Sequence, residues 1–421
     1  MSTTVVRDQP SVLTSDSPSR RVPPTIWALL CGTFLVRAAG FTYPFLSYRL
    51  KQLNLSTSTI SHALAAFGLG WFFGQLVCGW LADRIGRRTT LIGAMSVAAV
   101  VLPLLAHLGS TFAVLVTAVI AGAVYDAPRP IVSASITELI PSEEGRARIN
   151  GWRHFAVNIA AAFTGFAGGM LAGVVGVAPL IWANAIACAS FVLIALRYLD
   201  ADRPGPRAAT ARAEYRAALG DIRLWLLILA SLAALVCAAG MFCALPLLMT
   251  DDGLSATAYG WTQLTNVAAV VTLSPLLTPW LSRRAAAAPM FLPFAASALI
   301  LGAGMAIAGL ASTTIGYSLA VALLVPGEII IFIAAGNLLD HLAPADARGL
   351  YAGIWGSTLA IAVILAPLLT GWALDQGGDI LAAAAAFVSG LLGATLTFPL
   401  AALMHRQPPV LRSEPFPQPT G

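Results

Sequence analysis

The stretch Gly79-Trp80-Leu81-Ala82-Asp83-Arg84-Ile85-Gly86-Arg87-Arg88 is a short charged connection between two long apolar runs. The flanking runs cover residues 58–81 and 89–108. Each is long enough to cross a lipid bilayer as a helix, which takes about 20 mostly apolar residues. Two such runs joined by a tight charged turn are typical of a helical membrane protein, because the turn needs water and the runs do not.

The composition agrees with a membrane protein. Hydrophobic residues make up 58% of the 421 residues and charged residues only 10%, whereas a soluble domain carries about 25% charged residues. This composition argues against a soluble enzyme, a nucleic-acid binder or a secreted disulfide scaffold. The five cysteines lie inside apolar runs without CxxC or metal-ligand spacing, so neither a metal nor a cofactor is predicted.

Apolar runs of spanning length recur along the whole chain, and the absence of alternation in them argues against a membrane barrel. We predict an all-α polytopic membrane protein with twelve transmembrane helices. The predicted spans are 25–48, 58–81, 89–108, 112–138, 149–173, 177–198, 224–249, 257–281, 288–309, 314–339, 349–373 and 380–404.

A polar, arginine-rich stretch divides these spans into two sets of six. The predicted domain organisation is a tail at 1–22, a first bundle at 23–198, a linker at 199–223, a second bundle at 224–404 and a tail at 405–421. Basic residues concentrate in alternate short loops, which places both termini in the cytoplasm of a multi-pass protein of the plasma or inner membrane.

The two halves resemble each other. Leu35-Val36-Arg37-Ala38-Ala39-Gly40 recurs as Leu235-Val236-Cys237-Ala238-Ala239-Gly240. Further along, Asp126 falls in register with Glu328. Because six helices separate the copies, both halves cross the membrane in the same sense. Two parallel six-helix bundles are the architecture of secondary transporters that bind their substrate between the halves.

The Gly79–Arg88 stretch resembles the signature loop of the major facilitator superfamily, in the loop where that family carries it. The resemblance implies the major facilitator fold of two six-helix bundles. A second stretch, Tyr125-Asp126-Ala127-Pro128-Arg129-Pro130, together with Arg37, looks like the multidrug-exporter branch of the drug:proton antiporter group.

The loop itself is predicted to gate a conformational cycle. Glycine permits a tight turn, and the Asp83 carboxylate can cap a helix or pair with an arginine in only one conformational state. The alternative is a polar loop whose arginines only set the topology. The candidate gating residues are Gly79, Asp83, Arg84, Gly86, Arg87 and Arg88.

Four ionisable residues fall well inside predicted spans: Arg37, Asp126, Arg129 and Glu328. Charges are costly in hydrocarbon, so these side chains are expected to face a polar cavity or each other. Asp126 and Arg129 lie three residues apart and can form an ion pair within one helix face. Glu328 has no basic neighbour within a turn, which favours it as the proton-coupling carboxylate. The alternative is a structural partner for Arg37 or Arg129.

Aromatic side chains near these charges are candidates for a substrate cavity. Phe41 and Phe45 recur at helical spacing in the first span, and Tyr125 precedes Asp126. Such rings suit an amphipathic or cationic aromatic ligand, although aromatic residues at this spacing also pack against neighbouring helices or lipid.

The sequence shows neither a phosphate-binding loop nor a nucleophile–base constellation, so an enzyme is not predicted. The leading interpretation is proton-linked export of drugs, natural products or other small organic molecules by alternating access. Proton-coupled uptake of a metabolite and a transporter-like sensor remain alternatives. The expected partners are a small-molecule substrate, protons and the lipid bilayer, with the chain a monomer that does not bind nucleic acid.

Overall fold

A computed structural model describes residues 22–140, 142–200, 216, 218–344 and 347–406. Nearly all of this part of the chain is helical. The first half contains α1 (Pro24–Ala38), α2 (Thr42–Gln52), α3 (Thr57–Ile85), α4 (Arg87–His107), α5 (Thr111–Tyr125), α6 (Pro128–Leu139), α7 (Glu143–Val175) and α8 (Val177–Tyr198). The second contains α9 (Ile222–Asp251), α10 (Ala256–Ala287), α11 (Phe291–Gly309), α12 (Thr314–Leu342) and α13 (Arg348–Arg406).

These helices account for the twelve predicted crossings. Eleven segments of the described chain are long and apolar enough to span a membrane, with α1 and α2 forming one such segment and α5 and α6 another. The last segment has 58 residues, about twice the length that a single span needs. It contains a break at Gly378, where φ is 63°, and therefore supplies two crossings. The predicted tails and linker fall mostly at 1–21, 201–215 and 407–421, outside the described residues.

Two predicted single spans are each divided into two helices. The first breaks at residues 39–41, between α1 and α2, and the fourth at residues 126–127, between α5 and α6. Pro128 opens α6, where its missing N–H is tolerated and its fixed φ suits a helix start. Both breaks fall beside the intramembrane charges, so they expose backbone and redirect the chain where polar side chains lie.

We call the end of the molecule that carries residues 79–88 the loop side and the opposite end the far side. The two halves pack together towards the far side, where α7 of the first half crosses α10 of the second and α3 packs against α13. A Cβ atom added to Gly169 would lie 2.4 Å from the Cα of Gly260, so both positions need glycine for this close approach. The loop-side parts of the same two helices are mostly exposed, so the structure is closed on the far side and open on the loop side.

Candidate functional site

A cavity of about 250 Å³ lies between the two halves. Its lining combines charged, aromatic and small side chains from both halves. The first half contributes Arg37, Gly40, Tyr43, Pro44, Phe67, Trp71, Tyr125, Val157, Ala161, Thr164 and Gly165. The second half contributes Ala238, Ala239, Phe242, Tyr259, Gln263, Glu328, Phe332, Leu359 and Val363. A mostly apolar cleft with a few polar groups is the usual form of a small-molecule site.

The break between α1 and α2 places Arg37 at this cavity. Ending α1 at Ala38 leaves its last carbonyls without their usual helical partners, and inside a membrane protein such groups need other donors. The buried Thr164 hydroxyl donates to the carbonyls of Arg37, at 2.8 Å, and Ala38, at 3.0 Å. The guanidinium carbon of Arg37 lies 5.4 Å from the centre of the Tyr125 ring, within the range of a cation–π contact.

Asp126 is the most fully paired charge in this region. It ends α5 and is only 3% exposed. Its carboxylate forms an ion pair with Arg37, accepts a 3.2 Å hydrogen bond from the Trp71 indole and lies 3.6 Å from an Arg129 nitrogen. The i, i+3 neighbour Arg129 is thus the secondary partner, and the partner from another helix, Arg37, is the closer one. Two hydrogen bonds and one longer ion pair therefore engage this carboxylate.

Glu328 has the opposite environment. The helix α12 continues without a break through Pro326, two residues before Glu328. The side chain of Glu328 lines the cavity. Its Oε2 atom is buried without a hydrogen-bond partner, and the carboxylate forms no ion pair with any described residue. A carboxyl group of this kind is free to bind a proton or a substrate.

The remaining predicted site residues are distributed as follows. Tyr125 lines the cavity, whereas Phe41 and Phe45 are buried and absent from its lining. Phe45 packs edge-on against Tyr259 of the second half, with ring centres 5.5 Å apart. The Arg129 side chain is 56% exposed. The structure therefore brings Arg37, Tyr125 and Glu328 to one cavity, and it uses the two phenylalanines for packing.

Arg153 is a further charge near these residues that the sequence does not single out, because it lies close to the end of the predicted span 149–173. It belongs to α7, on the same face as the cavity residues Val157 and Ala161. Its Nη1 atom is buried without a hydrogen-bond partner among the described residues. It lies within electrostatic range of Arg129 and Asp126. The signal available in the sequence was its i, i+4 spacing from Val157.

The gating candidates lie at the open end of the molecule. Gly86 joins α3 to α4 with a φ of 97°, a left-handed conformation that favours glycine. Arg87 forms an ion pair with Glu138 of α6, and Arg84 stacks on Trp80 at 4.4 Å. The Arg88 side chain donates to the Leu196 carbonyl at 3.0 Å. Asp83 is exposed and contacts no described residue by hydrogen bond or ion pair, while Gly79 faces open space.

Twelve apolar helical crossings around a central cavity, with both halves contributing to its lining, define a multi-pass integral membrane transport protein. A family model for the Major Facilitator Superfamily matches residues 29–367. The chain belongs to this superfamily, and it is a transporter, not an enzyme.

Solved structures with the same fold include transporters of different substrates. The nucleoside transporter NupG is 16% identical, with a TM-score of 0.71 over 91% of this chain and 100% of NupG. An autoinhibited POT family peptide transporter is 16% identical, with a TM-score of 0.70 over 93% of this chain and 99% of that chain. A peptide transporter POT in complex with sulfate is 15% identical, with a TM-score of 0.68 over 91% of this chain and 95% of that chain. At these identities the likeness concerns the fold alone. No curated protein matches the sequence significantly.

Proposed function

We propose that this protein is a proton-linked secondary transporter that exports small amphipathic organic molecules across the cell membrane by alternating access. One observation carries the proposal: Arg37 from the first half and Glu328 from the second half line the same cavity, and Glu328 has no ion-pair partner among the described residues. Because opposite charges lie on opposite halves, a ligand or proton bound between them can change how the two halves pack together.

The proposed cycle depends on the difference between the two carboxylates. The Asp126 carboxylate is already engaged by Arg37, Trp71 and Arg129. Glu328 lacks such partners, so its charge can change when a proton or a substrate binds. If a proton and the substrate compete for Glu328, binding of the proton releases the substrate. The protein then exchanges substrate for protons across the membrane. The far-side contacts must then open while the loop side closes.

Export as the direction rests on the resemblance of residues 125–130 to the multidrug-exporter branch. Proton-coupled uptake is the second candidate, since solved structures that share this fold are named as nucleoside and peptide transporters. A transporter-like sensor is the third candidate. Accumulation of a fluorescent dye and of labelled metabolites in cells with and without the protein separates them: export lowers accumulation, uptake raises it, and a sensor leaves it unchanged.

The proton-linked step is tested by Glu328→Gln, which imitates the protonated carboxyl permanently. In vesicles loaded with a probe found in the cell assay, we expect this variant to lose accumulation driven by a pH gradient and to keep counterflow of labelled against unlabelled probe. The matched control is Asp340→Asn, because Asp340 is an exposed carboxylate on the same helix. Intact pH-driven accumulation by Glu328→Gln would contradict the proposal.

A further inference from the structure

The position of Arg153 relates it to the cavity. Val157 and Ala161 on α7 line the cavity, and Arg153 precedes them by one and two helical turns. Residues spaced by four lie on the same helix face. Arg153 therefore lies at the loop-side mouth of the cavity, which is the end that is open in this structure.

Arg153 carries a buried donor group that has no acceptor among the described residues. A guanidinium carries five N–H donors, and Nη1 of Arg153 is buried without a partner. The carboxylate within its electrostatic range is Asp126, which is already held by Arg37, Trp71 and Arg129. Arg129 itself adds a second positive charge beside Arg153. An unpaired buried donor next to a like charge is unfavourable unless an anion arrives to satisfy both.

The charges around the cavity do not balance within the first half. Arg37, Arg129 and Arg153 face the single carboxylate Asp126 there, whereas the second half contributes the unpaired carboxylate Glu328. An excess positive charge and an unpaired negative charge thus lie on opposite halves. Aromatic side chains from both halves also line the cavity, among them Tyr43, Phe67, Trp71, Tyr125, Phe242 and Phe332.

We propose that the cavity binds small zwitterionic aromatic molecules, with the acidic group at Arg153 and Arg129 and the protonated amine at Glu328. The inference rests on the proposed function and adds the substrate class to it. The aromatic side chains contact the body of the molecule, and a volume of about 250 Å³ suits a compact one. Because the ammonium group and a proton use the same carboxylate, this class of substrate also fits an exchange of substrate for protons.

Three compounds with the same aromatic body test the charge requirement: phenylalanine, phenethylamine and hydrocinnamate carry both charges, the amine alone and the carboxylate alone. Calorimetry on the purified full-length protein in lipid nanodiscs measures their binding without any gradient. We expect phenylalanine to bind at least about tenfold more tightly than either of the others, since each lost charge pair costs about 1.4 kcal/mol or more.

Variants of Arg153 test its part in this preference. Arg153→Gln should weaken phenylalanine binding by about tenfold and leave phenethylamine binding within about twofold. Arg153→Lys keeps the charge without the planar fork and should be intermediate. The matched control is Arg148→Gln, because Arg148 is an exposed arginine on the same helix; it should bind all three compounds like the unmodified protein.

These binding measurements can either support or overturn the zwitterion assignment. Binding of phenethylamine as tight as that of phenylalanine, binding of none of the three, or an equal loss in Arg148→Gln and Arg153→Gln would overturn the zwitterion assignment. If Arg153→Gln does not fold, the Arg153→Lys measurement decides. If the zwitterion assignment fails, the proposal of proton coupling still stands. Proton coupling is tested by gradient-driven transport in Glu328→Gln and not by equilibrium binding.

Discussion

The Arg37 guanidinium of α1 and the Asp126 carboxylate at the end of α5 form an ion pair inside the first half of the protein. Arg37 lies in the last turn of α1 and Asp126 directly follows α5, so each residue stands beside a break between two helices. The pair therefore fixes two interrupted spans relative to each other and holds Arg37 at the cavity. Its partner charges come from different helices, so the pair exists only once the bundle has assembled.

Removal of the Asp126 charge should destabilise the protein. Asp126→Asn leaves the Arg37 guanidinium without its ionic partner, and breaking a buried pair costs about 3 kcal/mol. We expect a lower melting temperature in detergent and weaker substrate binding. Asp375→Asn, at an exposed position, is the matched control and should melt like the unmodified protein. An unchanged melting temperature in Asp126→Asn would show that the ion pair does not stabilise the fold.

Asp83 should matter for transport and not for the stability of this conformation. Its carboxylate is exposed and unpaired among the described residues because the loop side is open. We expect Asp83→Asn to reach the membrane with an unchanged melting temperature and to lose transport, since closing the loop side needs a contact that only the charged group makes. Asp340→Asn should retain transport. Normal transport by Asp83→Asn would limit the loop to a topological role.

The contacts between the two halves at the far side should separate in each transport cycle. Asp251 at the end of α9 accepts a 2.7 Å hydrogen bond from Thr57 and lies 3.7 Å from the Lys51 ammonium, so it joins the two halves. Cysteines at both positions, Thr57→Cys with Asp251→Cys, in a background without the five native cysteines, should form a disulfide that stops transport. Reduction should restore it, and each single cysteine variant should transport under both conditions. Transport by the oxidised double variant would mean that the far side does not open here.

Asp221 should make stability depend on pH in the acid range. Burial by itself raises the pKa of this carboxyl, but hydrogen bonds and charge from Arg223, together with the Tyr351 hydroxyl, outweigh burial and lower the pKa below its ordinary value. The charged form is favoured in the fold. Its stabilisation is therefore present above the unfolded pKa of about 3.9 and disappears as the pH falls through the lower folded pKa.

Asp221→Asn tests this dependence, because asparagine can still cap α9 while the charge is removed. We expect the variant to melt at a lower temperature than the unmodified protein at neutral pH, with the difference shrinking as the pH falls below about 4. Asp375→Asn should show no such trend. A difference that stays constant across this range would assign the effect to hydrogen bonding and not to charge.

The twelve crossings, the two-half organisation and the superfamily were determined by the sequence alone. Apolar runs of spanning length and the 79–88 loop are local features of the sequence. Such a run forms a helix in the bilayer because its backbone hydrogen bonds must be made within the segment. The sequence also identified Arg37, Asp126, Arg129 and Glu328 as costly charges. The free-energy cost of a charged side chain in hydrocarbon depends on the residue type and on its depth in the membrane, and both can be read from the sequence.

The choice of partners among those charges was decided only by the tertiary structure. Asp126 pairs more closely with Arg37, 89 positions away, than with Arg129, its i, i+3 neighbour across the break, and Glu328 forms no ion pair with a described residue. Phe41 and Phe45 pack while Tyr125 lines the cavity, and Arg153 lies on the face of α7 that carries the cavity residue Val157. These outcomes depend on how each helix is rotated and where α1 and α5 end. Rotation is set by packing between distant segments, such as the approach of Gly169 to Gly260, which hydropathy along the chain does not encode.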